Sequence, residues 1–124
     1  MPTVAVIGAS TDRRTYGNRA VPAYLRQGYT VYPVNPNASV VEGLRAYRSV
    51  PDIPGPVDRV TLYLPPEVGI RALPDIAAKR PVEFFVNPGA ESDELVAEAH
   101  RLGLIPILAC SIVNIGEDPS TFSP

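Results

Sequence analysis

Val4-Ala5-Val6-Ile7-Gly8-Ala9-Ser10-Thr11 is the stretch from which the fold is read. Its first four residues are all apolar and lack the polar alternation of a strand with one face in water. They predict a strand buried on both faces, as in a parallel sheet. The glycine and small hydroxyl residues that follow predict a turn. That turn leads into Tyr16–Gln27, where Val21, Tyr24 and Leu25 fall at helical spacing and Gly28 is placed to stop the helix. Pro22 inside this span is expected within the first two turns or at a kink.

The same alternation recurs outward along the chain. Residues 30–34, 59–64, 83–86 and 105–109 predict four further strands, the first weakened by its internal Pro33. Residues 92–102 predict the best-formed helix. Leu95, Val96, Ala99 and Leu102 make its apolar stripe, Ser92 its cap, Asp93 and Glu94 its acidic first turn, and Gly103 its stop. Residues 66–79 predict another helix, with Pro66 near its first position, Val68, Ala72 and Ile76 on one face, and Pro74 as a defect within it. Residues 44–50 fit a short helix or an extended piece, and the tail after Gly116 carries no periodicity. The pattern predicts an α/β protein: one Rossmann-like, doubly wound sheet of about five mainly parallel strands with helices on both faces, spanning residues 1–124 as a single domain. Most of the 15 prolines lie just outside the strand segments and act as punctuation.

Composition narrows the function. With 124 residues, a net charge of −2 and a pI near 5.3, the chain lacks the basic footprint of a nucleic-acid binder. An anionic ligand would have to be held by local cations and backbone N–H groups. No apolar run reaches the ~20 residues needed to cross a bilayer, and no leader pattern precedes the first strand, so a cytoplasmic protein without membrane contact is expected. One cysteine and one histidine make neither an intrachain disulfide nor a zinc set of the usual ligand types. There is no G-x-S-x-G elbow. No catalytic residue is assigned, and binding is the expected activity.

Open parallel sheets bind ligands beyond the carboxyl ends of their strands, near the point where strand order reverses. The loop Gly8-Ala9-Ser10-Thr11 is the first candidate. Its N–H groups and hydroxyls suit a phosphate, with Arg13, Arg14 and Arg19 close by in sequence. An ordinary strand-to-helix turn with solvated arginines reads equally well. The dinucleotide pattern G-x-G-x-x-G fails, because Ser10 and Arg13 stand at its second and third glycines. Beyond the second strand stand Val34, Asn35, Pro36 and Asn37, with no acid before Glu42, whereas an NAD site places an acid there for the ribose. The asparagines would also serve simply as turn formers.

Taken in order, VAVIGAS, YPVNPN, TLYLPP, FVNPGAES and the lone Cys110 after the fifth strand closely resemble the small stand-alone CoA-binding proteins. These are similar to the CoA-binding domain of the succinyl-CoA synthetase alpha subunit. The resemblance runs from Val4 to about Ile115. It implies coenzyme A, or an acyl-CoA, held by a non-catalytic carrier, sensor or regulatory module. Gly8, Ala9, Ser10, Thr11, Arg13 and Arg14 would then hold phosphates, so replacing both arginines by alanine is expected to weaken CoA binding. Val34, Asn35 and Pro36 would line the nucleotide pocket. Leu64, Pro65 and Pro66 would wall the adenine or the pantetheine arm. The lysine that the synthetases carry after V-N-P is absent; Asn37, Ala38 and Ser39 stand there. Their phosphorylated histidine belongs to a second domain, and His100 does not match it; it reads as a surface helix residue. Cys110 would meet the CoA thiol in a mixed disulfide, or is a small buried hydrophobe. The competing readings are an NAD(P)-dependent oxidoreductase-type domain and an interaction protein that has lost its ligand. A homodimer or a partner protein fits so small a domain.

Overall fold

The computed structural model describes residues 1–124. In chain order the elements are β1 (Thr3–Ile7), α1 (Tyr16–Arg26), β2 (Thr30–Val34), β3 (Val40–Val41), β4 (Leu44–Arg45), β5 (Arg59–Leu62), α2 (Pro66–Gly69), α3 (Leu73–Lys79), β6 (Glu83–Val86), α4 (Asp93–Arg101), β7 (Pro106–Leu108) and α5 (Ser111–Asn114). Five strands form one parallel sheet in the order β2-β1-β5-β6-β7. The register sets Ile7 opposite both Val34 and Leu62, Leu62 opposite Val86, and Val86 opposite Leu108, so all five carboxyl ends share one edge.

Alternate strand residues feed two cores, as the pleat requires. Ala5, Ile7, Val60, Leu62, Phe84 and Val86 face Leu73 and Ile76 of α3 and Leu95 and Ala99 of α4. Val4 and Val6 face Ala20, Val21 and Tyr24 of α1 and Ile112 of α5. Helices therefore cover both faces, and the expected doubly wound α/β fold is what forms. β1 is joined to β2 on one side, and the chain then crosses to β5 on the other. The reversal falls between the ends of β1 and β5, where a ligand crevice is expected.

Four details depart from or complete the sequence reading. The predicted helix over 66–79 is split into α2, a 3-10 turn at Ile70–Ala72, and α3. Pro74 takes the second position of α3, where a missing N–H costs no intrahelical bond. Pro33 does not break β2. Gly8 N donates to Val34 O toward β1, while Pro33 O accepts from Tyr47 N on the outer side, so the absent N–H faces away from β1. Residues 40–45 form the β3–β4 hairpin. Glu42 and Gly43 carry φ of 49° and 78°, the positive values that a two-residue type I′ turn needs at both central positions. Finally, β7 is an edge strand with Ile107 and Leu108 exposed.

Candidate functional site

α1 begins at Tyr16, later than a short phosphate loop requires, and its cap Thr15 accepts from Asn18 N at 3.2 Å. The loop from Gly8 to Thr15 is folded on itself. Ser10 Oγ accepts from Asp12 N, Asn18 Nδ2 donates to Ser10 O at 2.7 Å, and Asn35 Nδ2 donates to Ala9 O at 2.8 Å. Two glycines let it sit against the sheet. Gly8 has φ +90°, and a Cβ there would lie 2.9 Å from Tyr63 C. A Cβ on Gly17 would lie 2.2 Å from Gly8 O. The helix thus touches the strand end through a glycine. That is the packing role of the last glycine in a dinucleotide fingerprint, moved one turn along. The sequence reading passed over Gly17; its signal was a glycine in the first turn of a helix, where glycine is otherwise unfavourable.

Arg13 and Arg14 are exposed and paired, Arg13 with Glu42 at 3.1 Å and Arg14 with Asp12 at 2.8 Å. Arg14 holds the Asp12 carboxyl down to about 2. Glu42 reaches back from the hairpin tip to accept from Asn18 Nδ2 and Arg13 Nε, and those bonds lower its pKa. A carboxyl depressed in the folded state adds stability above its unfolded pKa and loses it as pH falls through the folded value. Glu42→Gln is therefore expected to lower stability at pH 7 and to flatten the fall in stability between pH 5 and pH 3. Urea unfolding across that range checks it, and a Gln variant with the parent's acid slope would refute the assignment.

The largest cleft, about 530 Å³, opens at the carboxyl ends of β1 and β2 and is closed on its far side by the α2–α3 segment. Gly8, Ala9, Ser10, Val34, Asn35, Pro36 and Leu64 line it; Thr11, Arg13, Arg14, Pro65 and Pro66 do not. Its cations are Arg48, just before the 3-10 turn at Val50–Asp52, and Arg71, in the turn between α2 and α3. Neither was singled out from the sequence. Arg48 falls in the segment whose structure was undetermined, and Arg71 in a span read as a continuous helix. The only acid in the lining is Asp75. Asn35 occupies the end of β2 where an NAD site would present a carboxylate. Its amide supports the loop through Ala9 O and caps its own turn through Asn37 N.

Two smaller hollows continue the cleft along the sheet edge. The first, about 340 Å³, shares Gly8, Ser10 and Leu64 with the cleft and adds Thr15 and Gly17 from the start of α1, together with Pro65. The second, about 210 Å³, shares Tyr16, Tyr63 and Pro88 with the first and ends at Cys110. Through these shared residues the three hollows adjoin one another and together mark a groove from the β2 end to the β7 end. Tyr63 Oη is buried in its wall without a hydrogen-bond partner, and burial pushes that phenol well above its ordinary pKa. Asn87, buried at the end of β6, ties the wall together. It donates to Thr61 Oγ1 and Leu62 O and accepts from Ser111 N. Cys110 is half-buried, and His100 is exposed on α4, away from the groove.

A family model described as CoA binding domain matches residues 2–116. The chain is 34% identical to the alpha subunit of ADP-forming acetate–CoA ligase II of Pyrococcus furiosus, over 82% of this chain and 24% of that protein. It is 35% identical to ADP-forming acetate–CoA ligase II of Archaeoglobus fulgidus, over 62% of this chain and 12% of that protein. The chain thus spans about a quarter or less of these relatives. Among solved structures, a conserved hypothetical protein from Pyrococcus furiosus matches with a TM-score of 0.83 at 33% identity, covering 92% of this chain and 99% of that one. The dinucleotide-forming acetyl-coenzyme A synthetase 1 of Ca. Korarchaeum cryptofilum, in complex with phosphate and ADP, matches with a TM-score of 0.70 at 29% identity, covering 85% of this chain and 25% of that one.

Proposed function

Because the chain belongs to the CoA-binding domain family, we propose that it binds coenzyme A or an acyl-CoA in the groove along the carboxyl edge of its sheet, as a carrier, sensor or regulatory module without chemistry of its own. The observation that carries this reading is the shape of the groove. A cleft of about 530 Å³ adjoins smaller hollows of about 340 and 210 Å³ across the ends of β1, β5 and β6, which suits a ligand with a nucleotide head and a long arm. In this reading Val34, Asn35 and Pro36 receive the nucleotide, and the peptide groups of Gly8, Ala9 and Ser10 approach its phosphates. Thr11, Arg13 and Arg14 flank that loop from outside. Leu64, Pro65 and Pro66 bound the passage, and the thiol end of the arm lies toward Cys110. Asn35 in place of a ribose-binding acid supports a cofactor other than NAD.

Calorimetric titration of the reduced protein with CoA, ATP and NADP tests the reading. CoA is expected to bind at least about tenfold more tightly than ATP, since only CoA fills both the cleft and the smaller hollows; that ratio corresponds to about 1.4 kcal/mol. NADP binding without CoA binding would favour an oxidoreductase-type domain. No binding at all would favour a fold maintained for protein contacts.

A further inference from the structure

We infer that Arg48 and Arg71 form a subsite for a phosphate monoester on the ligand's ribose, so that this chain distinguishes CoA from 3′-dephospho-CoA. The inference rests on the CoA reading and sharpens it.

Arg13, Arg14, Arg26, Arg59 and Arg101 each pair with a carboxylate of the chain. Arg48 and Arg71 line the main cleft and pair with none; Arg71 makes only a 3.4 Å contact from Nε to Glu67 O. In a chain of net charge −2, their presence there is a local feature and no reflection of a basic surface. Asp75 leaves the cleft lining with a net positive charge.

Position then selects the kind of anion. The two arginines come from the segment after β4 and from the α2–α3 turn, and neither lines the hollow toward α1. Gly8, Ser10 and Leu64 are the residues that the cleft shares with the hollow toward α1. A diphosphate leading toward α1 lies at those shared residues. A phosphate that branches from the ribose stays in the cleft, beside the arginines. Guanidinium is the side chain best suited to it, because its fork of donors matches phosphate oxygens in pairs.

Titration of the full chain with CoA and with 3′-dephospho-CoA tests this. The parent is expected to prefer CoA by at least about tenfold, the order expected from one lost charge-assisted hydrogen bond. Arg48→Gln and Arg71→Gln are each expected to lower CoA affinity about tenfold while changing dephospho-CoA affinity less than twofold. Arg101→Gln, which removes a charge on α4, should change neither. Both arginines are exposed, so thermal melts should show the variants folded. If both ligands bind the parent equally, or if both lose affinity equally in the variants, the subsite is wrong while the CoA reading stands. If neither ligand binds the parent, the CoA reading falls and the subsite with it.

Discussion

Gly17→Ala is expected to destabilise the protein by about 3 kcal/mol, at the upper end of the usual overpacking cost. The added methyl would meet two backbone atoms, Gly8 O at 2.2 Å and Gly8 C at 3.1 Å, and backbone cannot swing aside as a side chain can. Either α1 lifts off the end of β1, opening the packing around Ala20, Val21 and Tyr24, or the Gly8–Ala9 peptide turns and disturbs the loop that Asn35 holds through Ala9 O. Both responses distort the loop that floors the cleft. A loss of CoA affinity should therefore accompany a fall in Tm of about 10 °C for a domain of this size. Urea unfolding and calorimetry on the same preparation check it. Gly28→Ala is the comparison. Its φ is +85°, but nothing lies within 4 Å of the new methyl, so only a backbone cost of about 1–2 kcal/mol is expected and binding should survive. If Gly17→Ala stayed within about 0.5 kcal/mol of the parent, the contact between α1 and the Gly8 peptide would be far softer than its geometry implies.

Asn87→Ala is expected to cost a similar amount, about 3 kcal/mol, by a different route. The amide makes three buried hydrogen bonds, and its loss leaves Ser111 N–H without its acceptor. An unsatisfied buried donor costs about 1–3 kcal/mol, and each remaining bond contributes about 1 kcal/mol. Because Ser111 opens α5 and follows Cys110, the damage should concentrate at the far end of the groove. Amide exchange in residues 109–115 should accelerate more than in β1 or α1. Asn87→Asp restores an acceptor for Ser111 N–H but not the two donated bonds, and it brings a carboxylate into a buried site facing Leu62 O. It should not rescue stability. Rescue by Asp would show that only the bond to Ser111 matters.

The cation inventory shows where reading the chain by proximity in sequence reaches its limit. Arg13 and Arg14 stand beside the first loop and were the natural choice for a phosphate. Folding turns them outward onto Glu42 and Asp12, because the loop runs to Thr15 before α1 begins and because the β3–β4 hairpin delivers Glu42 from 29 residues away. Arg48 and Arg71 carry no local pattern. Their convergence depends on the hairpin returning the chain past the β2 end, where Tyr47 pairs beside Val34, and on the break after α2 that sets Arg71 on the cleft wall. Arg59 is a similar case. An arginine opening a strand reads as an ordinary surface residue, yet it is buried between Glu83, Asn114 and the Phe85 ring, with its charge satisfied by groups from two other elements.

What the sequence determined by itself was the layered architecture and the loops that follow each strand at the sheet's carboxyl edge. Continuous apolar runs ending in Gly8, Asn35, Leu64 and Asn87 specify parallel strands and the loops beyond them, because burial on both faces and turn chemistry are local requirements written in neighbouring residues. The ordered set of those loops also carried the family. Only the tertiary structure decided which charges face the groove, which glycine bears the helix against the strand, and how the three hollows join. Each of those depends on residues far apart in the chain meeting at one place. Pairing of that kind is settled by the register of the sheet and the packing of helices upon it, and no single segment contains it.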